Sequence, residues 1–537
     1  MGRSLARFGG CVVRAGLGAL LAATSSCDPL PAGRAVPRVL PALEIEAALV
    51  SKALAAPAPA PPPSPSDAWA ELLAGERAVQ QAREQLFPLH GVATHILAQV
   101  QAQPSADAPV IGYLRRGARV RARSQQRGHG CEHAWHELAT GGFVCEGRGF
   151  LLGPGPQSFE PVPVEPSLQD ALPYRYAKNA HATLQFWRVP TRTEERVASE
   201  LFAQQPNLFV SVAKPSTSPL QAPPPSPEPL PAIPDYVRQA MDPGFYVSVD
   251  RTELREGEGA PEQHAFVRTV RGGYVASAQL TDVHEPPAVG VVLGDATALP
   301  LGIVYRPQAK TWLRDPLSGE LVAAEPLARY SAVPLTSDAA GELGDAYRLA
   351  LSGLAVQRSA LRIASVAPRP ALIPKRARLI HVRLAEQTLV AYEGARPVFA
   401  TLVSSGKAGF DTPPGIFRIW SKHISTTMDG IAPSASAAAA AGATLGAAAP
   451  AQSAQQPDAD EAYSIEDVPW TMYFQGSYAL HAAFWHERFG QVRSHGCINL
   501  SPADARWLFR WSTPVLPADW HGVLATDDNP GTWVWIE

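Results

Sequence analysis

The residues best suited to chemistry lie near the end of the 537-residue chain, in Arg493-Ser494-His495-Gly496-Cys497-Ile498-Asn499, with His481 upstream in Tyr478-Ala479-Leu480-His481. A thiol attacks as its thiolate, so a working cysteine needs a base beside it, partial exposure and donors for a developing oxyanion. His481 and His495 are candidate bases for Cys497. Gly496 permits a turn tight enough for consecutive N–H groups to converge beside the sulfur. Together they point to nucleophilic catalysis. Two other readings use the same residues: a zinc site built from His481, His486, His495 and Cys497, and an inert buried Cys beside surface histidines.

The elements around this stretch read as strands. Leu379-Ile380-His381-Val382-Arg383-Leu384 and Gln387 to Gly394 form two extended runs about a polar turn, a hairpin pattern, and Pro397 to Ser404 supplies a third strand. Between them and His481, residues 431–460 become rich in Ala, Ser and Gln without aromatic anchors, which predicts a flexible insertion.

With its surroundings, the motif resembles that of the L,D-transpeptidases (the YkuD family), in which a His precedes Ser/Thr-His-Gly-Cys and Asn or Arg follows one residue after the Cys. Here those positions are His481, Ser494, His495, Gly496, Cys497 and Asn499. Val398 to Lys407, Thr412-Pro413-Pro414-Gly415-Ile416-Phe417, Thr427-Met428 and the helix-like Leu500-Ser501-Pro502-Ala503-Asp504-Ala505 extend the likeness over roughly Arg378 to Glu537. The resemblance implies a catalytic domain at 376–537 that cuts a peptidoglycan stem peptide after its third residue and passes the acyl group to an amine.

In that reading Cys497 is the nucleophile and His481 the base. His481 is followed by Ala482, so a backbone carbonyl must hold its tautomer. His495 hydrogen-bonds near the sulfur, and the amides of His495, Gly496 and Cys497 are the candidate oxyanion donors. Ser494 and Asn499 brace the loop. Tyr473, Trp485 and Arg493 are candidate walls of a substrate groove, with packing as the other role for the two aromatics. The acceptor can be an amine or, in a carboxypeptidase, water. A non-catalytic wall-binding lipoprotein is the remaining alternative. No cofactor or metal is called for, and peptidoglycan stem peptides are the expected partner.

The rest of the chain bounds these readings. At ~150 residues each, 537 residues suggest three or four domains, and the 53 prolines, about twice the usual ~5%, place them on Pro-rich connectors. A formal charge of −3 gives no basic face for nucleic acid. Residues 1–27 read as an export signal, with Arg3, Arg7 and Arg14 ahead of an apolar run at 15–23 too short to span a bilayer. Thr24-Ser25-Ser26-Cys27 resembles a lipobox, which implies lipid on Cys27, a membrane anchor and an address in the periplasm or cell envelope. Simple secretion is the alternative.

Residues 28–66 are an Ala/Pro-rich tether. A helix at about Asp67 to Gln85 and short alternating runs from Leu89 to Leu152 predict, over 67–155, a helix plus a small antiparallel barrel. The barrel is similar to bacterial Src-homology-3-like (SH3-like) domains in Gly112 to Gly117 and Trp135 to Val144. Cys131 and Cys145, in an exported chain, are expected to pair; a zinc site with His129, His133 and His136 has no standard spacing. Residues 174–349 read as a β-rich accessory domain interrupted by the Pro-rich 215–234, with Phe266 to Val275 echoing the first barrel. The fold expected is mainly β and multidomain, with small SH3-like barrels ahead of a β-rich L,D-transpeptidase catalytic domain.

Overall fold

A computed structural model describes residues 79–125, 128–209, 232–255, 265–294, 297–336, 346–429 and 464–537. The expected export signal with Cys27, the tether, the start of the first helix, most of the Pro-rich interruption and the 431–460 insertion lie outside the described residues. Within the described residues the chain is mainly β and multidomain.

A short exposed helix at 79–86 leads into seven strands between Leu89 and Gly153. They pair antiparallel throughout, Leu89–Ala93 lying between Arg119–Gln125 and Phe150–Gly153. Alternate residues such as Ala98, Val100, Leu114 and Phe150 turn inward, the period-two pattern legible in the sequence. Cys131 and Cys145 are joined in a disulfide, with Cα atoms 5.7 Å apart.

Within and just beyond 174–349 the strands fall into two groups, each around its own core. Strands from Arg175–Asn179 to Leu280–Asp282 enclose one set of cores, among them Leu184, Phe186 and Phe266. A further group, from Leu301–Val304 to Leu361–Ala364, has its own core of Val304, Val333, Val356 and Leu361 and runs past residue 349. Both end alike: strand, glycine turn, short strand, a 3-10 turn (Ser277–Gln279 or Arg358–Ala360) and a closing strand.

The first of these units also holds a helix, Arg192–Gln204, that the strand reading passes over. Thr191 caps it, its side chain accepting from Glu194 N at 3.2 Å while Glu194 accepts from Thr191 N at 2.8 Å. That reciprocal box was the available signal.

The C-terminal domain is two sheets on one core. In one, Arg378–Arg383 pairs with Thr388–Glu393 and, in parallel, with Trp533–Ile536. In the other, Ser421–Asp429 lies between Gly522–Leu524 and Ser464–Gln475, which pairs in turn with Tyr478–Ala482. Ile380, Val382, Leu389, Trp470, Met472, Leu480 and Ile498 fill the space between them with Leu508 and Phe509 of the helix Pro502–Trp511. Ser501 caps that helix by accepting from Asp504 N. Its other end is held by a buried lysine: Lys422 Nζ donates to the carbonyls of Phe509 and Ser512 at 2.5 and 2.7 Å, satisfying groups a helix end leaves open. Burial pushes the Lys422 amine down to about 7.

The accessory units are built into this domain. Gly112 and Tyr113 of the first barrel pair with Val523 and Gly522, and Trp520 and Val523 are buried in the barrel's own core. Gly112 has to be glycine, since a Cβ there would sit 2.2 Å from the Trp520 ring. The second unit joins through Tyr246, which pairs with Ile465, and through a core shared by Tyr174, Tyr176, Val468 and Phe484.

Candidate active site

Two adjacent parallel strands position the reactive residues. Tyr478–Ala482 is apolar and almost wholly buried, which fixes it in the sheet, and it pairs with Ile498–Leu500 in the register Leu480–Ile498, His481–Asn499 and Ala482–Leu500. His481 thus stands opposite Asn499, and Cys497 lies one residue ahead of the strand that carries Asn499.

His481 is 2% exposed. Its Nδ1–H donates to the carbonyl of Ala482 at 3.0 Å, which leaves Nε2 as the unprotonated nitrogen of a neutral ring. This is the backbone carbonyl that the absent side chain at 482 demands. Burial pushes the imidazole down to about 4, against the pull of that carbonyl. Cys497 is a half-buried free thiol whose sulfur lies 3.7 Å from the Ser477 carbonyl. Burial pushes the thiol up to about 11, while a backbone hydrogen bond from Ala479 favours the thiolate. Both shifts favour the uncharged forms, thiol and imidazole.

The turn that carries Cys497 is held from three sides. Ser494 Oγ accepts from Gly496 N at 3.1 Å and donates to the carbonyl of Cys497. Gly496 has φ +112, and a Cβ would lie 2.5 Å from the Tyr478 ring, so glycine is required twice over. Ser404 and Asn499 exchange both backbone hydrogen bonds at 2.9 Å, while Arg493 N and Ser494 N both donate to Ser405 O.

Behind this frame stand residues to which the sequence assigned no part in bracing the Cys497 turn. Thr412 Oγ1 accepts from Gly406 N at 2.9 Å and donates to Gly496 O at 2.8 Å, tying the Thr412-Pro413 turn to the nucleophile loop. The buried Gln387 grips Ser405 through both ends of its amide, at 2.6 and 2.9 Å. His486 lies 3.1 Å from the Asn499 side-chain amide and accepts from Arg488 N, and burial followed by the charge of Arg493 pushes it down to about 3.

The remaining expected residues separate by role. The His495 ring meets Phe410 edge-on at 4.6 Å. Tyr473 packs against Trp420 and His423; burial pushes its phenol up to about 12, and the charge of a Cys497 thiolate adds to this. Trp485 stacks on His481 at 5.8 Å between centroids and 28° between planes. Arg493 is exposed. Gly496 N, one of the three expected oxyanion amides, donates to Ser494 Oγ. Among the described residues no three His, Cys, Asp or Glu side chains group to hold a metal ion, so the zinc readings find no ligand set; Cys131 and Cys145 are spent on each other.

The sequence profile of the L,D-transpeptidase catalytic domain (YkuD) matches residues 377–536, less than a third of the chain. No curated protein matches. Among solved structures, the L,D-transpeptidase (Yku) of Stackebrandtia nassauensis is 22% identical over 30% of this chain and 57% of its own, with a TM-score of 0.19. L,D-transpeptidase 1 of Mycobacterium tuberculosis is 21% identical over 30% of this chain and 61% of its own, at 0.19. An L,D-transpeptidase from Mycobacterium smegmatis is 18% identical over 54% of this chain and 99% of its own, at 0.21. The chain thus spans little more than half the length of the first of these, and such scores describe no shared whole-chain architecture. The domain at 377–536 is of the L,D-transpeptidase type.

Proposed function

We propose that the protein is a peptidoglycan L,D-transpeptidase, exported and held at the cell envelope by lipid on Cys27, with Cys497 as nucleophile and His481 as its base. The observation that carries this is the strand register that sets His481 opposite Asn499, two residues beyond Cys497, with Nδ1 spent on Ala482. Nε2 is then the nitrogen able to take a proton.

Because thiol and imidazole rest neutral, proton transfer and attack belong to one event on the bound substrate. The Cys497 proton passes to His481 Nε2 as the sulfur bonds to the carbonyl carbon of the third stem residue. The carbonyl oxygen becomes an oxyanion facing the backbone amides of the Cys497 turn. Collapse breaks the peptide bond, and the departing amine takes the proton from the imidazolium. The resulting thioester is attacked by an amine from a second stem; His481 accepts that amine's proton and returns it to the sulfur as the new peptide bond forms.

Digestion of purified wall material followed by mass analysis of the muropeptides tests this. Cross-linked dimers lighter by the released stem terminus are expected with the protein and not with Cys497→Ala. Shortened monomers alone would assign water as the acceptor, a carboxypeptidase on the same site. An unchanged muropeptide profile with the active protein would overturn the enzyme reading in favour of a wall-binding lipoprotein.

A further inference from the structure

A cleft of about 250 Å³ lies where the second accessory unit meets the catalytic domain, lined by Lys178, Tyr246 and Asp282 from one side and Trp485, His486 and Glu487 from the other. It is smaller than the ~300–1,000 Å³ of pockets for drug-sized ligands, which suits one or two amino-acid residues better than a glycan. Its floor is aromatic: Tyr246 and Trp485 have centroids 6.5 Å apart. Its mouth carries charges of both signs. Lys178 Nζ lies 5.6 Å over the Tyr246 ring. Asp282 is paired with Arg175 at 3.3 Å, so the charges offered to a ligand are chiefly Lys178 and the exposed Glu487.

Two of its walls are also parts of the reaction site. Trp485 faces the cleft and stacks on His481. His486 lines it and lies against the side-chain amide of Asn499, two residues beyond Cys497. A ligand seated there touches the side chains that orient the base and brace the nucleophile loop.

We propose that this cleft is a subsite for a zwitterionic peptide end, one that carries a carboxylate and an ammonium within one or two residues, the carboxylate held by Lys178, the ammonium by Glu487 and the body laid on Trp485. The inference rests on the acyl-transfer reading only for which substrate brings that end to Cys497. The accessory unit is then part of substrate recognition, with specificity set jointly by residues more than two hundred positions apart.

Calorimetric titration of the full chain with alanylalanine, its N-acetyl form and its C-terminal amide reads the cleft independently of catalysis. The dipeptide should bind in the millimolar range, with each blocked form at least fivefold weaker. Lys178→Glu should erase the preference for a free carboxylate, and Glu487→Gln the preference for a free amine. Both side chains are exposed, so neither change removes core packing. Absence of binding at 50 mM, equal binding of all three peptides, or preferences unmoved by both substitutions would overturn the proposal. Failure of the muropeptide assay with these preferences intact would instead overturn the reaction assigned to Cys497.

Discussion

Arg115 and Asp467 meet in a bidentate ion pair, Nη1 to Oδ1 at 2.8 Å and Nη2 to Oδ2 at 2.9 Å, although 352 positions separate them in sequence. The pair is buried and ties three units together. Arg115 comes from the first barrel and Asp467 from the central strand of the catalytic domain. From the second accessory unit Ser248 Oγ donates to Asp467 at 2.6 Å and Arg271 adds a further contact at 3.3 Å. Burial alone would raise the Asp467 carboxyl, but Arg115 and then Arg271 hold it well below the usual carboxylate range.

Arg115→Ala should therefore cost about 3–5 kcal/mol, since it leaves a buried carboxylate undercompensated. A carboxylate with a depressed folded pKa contributes stability that is present above its unfolded value, about 3.9, and lost as pH falls below it. The gap between wild type and variant should narrow on acidification from pH 6 to pH 3. Denaturant titrations at several pH values would read both effects; a gap that widens in acid contradicts the assignment.

The neutral resting pair makes a prediction about reactivity. With the thiol pushed up to about 11 and His481 down to about 4, iodoacetamide should alkylate Cys497 slowly at pH 7, the rate climbing steadily through pH 9 and 10. A reactive plateau between pH 5 and 8 would indicate a preformed thiolate–imidazolium pair instead.

A carbapenem should add once to Cys497, as resemblance to the L,D-transpeptidases implies, and Cys497→Ala should show no adduct in intact mass spectra. His481→Ala should slow acylation by about 10²–10⁴, the range for losing a positioned general base. His495→Ala, whose ring leans on Phe410, should cost less. If the two histidine variants exchange these ranks, His495 is the base.

Thr412→Val should leave Gly406 N and Gly496 O without their shared partner. Each unmet buried group costs about 1–3 kcal/mol, and the nucleophile turn loosens with it. The acylation rate and the melting temperature should both fall, whereas Thr412→Ser should restore both. Failure of serine to rescue would separate the effect from the hydroxyl.

The Cys131–Cys145 bond closes a loop with a sequence separation of 14. In the chain-entropy model a loop of this size contributes about 3 kcal/mol. The double variant Cys131→Ser/Cys145→Ser should unfold correspondingly earlier in denaturant, and full stability in that variant would contradict the estimate.

The parts legible in sequence were the local ones. Ser494 to Asn499 are contiguous, and their chemistry follows from residue type. The period-two runs of the first barrel and of Leu379 to Ser404 became strands because their alternation declares one buried face. What stayed hidden was set by distant partners. Nothing near Thr412, Gln387 or His486 says that each meets the 404–499 frame. The bond from the Gly496 amide back to Ser494 was likewise hidden, since the turn's geometry decides it. The likeness of the glycine turns at Gly272 and Gly353 is plain only once both are seen between paired strands.

The pairing of Gly112 and Tyr113 with Val523 and Gly522, together with Trp520 and Val523 inside the first barrel's core, bears on biosynthesis. The barrel leaves the ribosome early, while the side chains that complete its core emerge almost last. Until then the Val110–Arg115 strand presents a bare edge, the kind of surface that recruits other chains. A chain of this design has to be kept unpaired through most of its synthesis. Trimming it to the catalytic domain would expose the opposite edge, at Gly522–Leu524, and strand Trp520 in water.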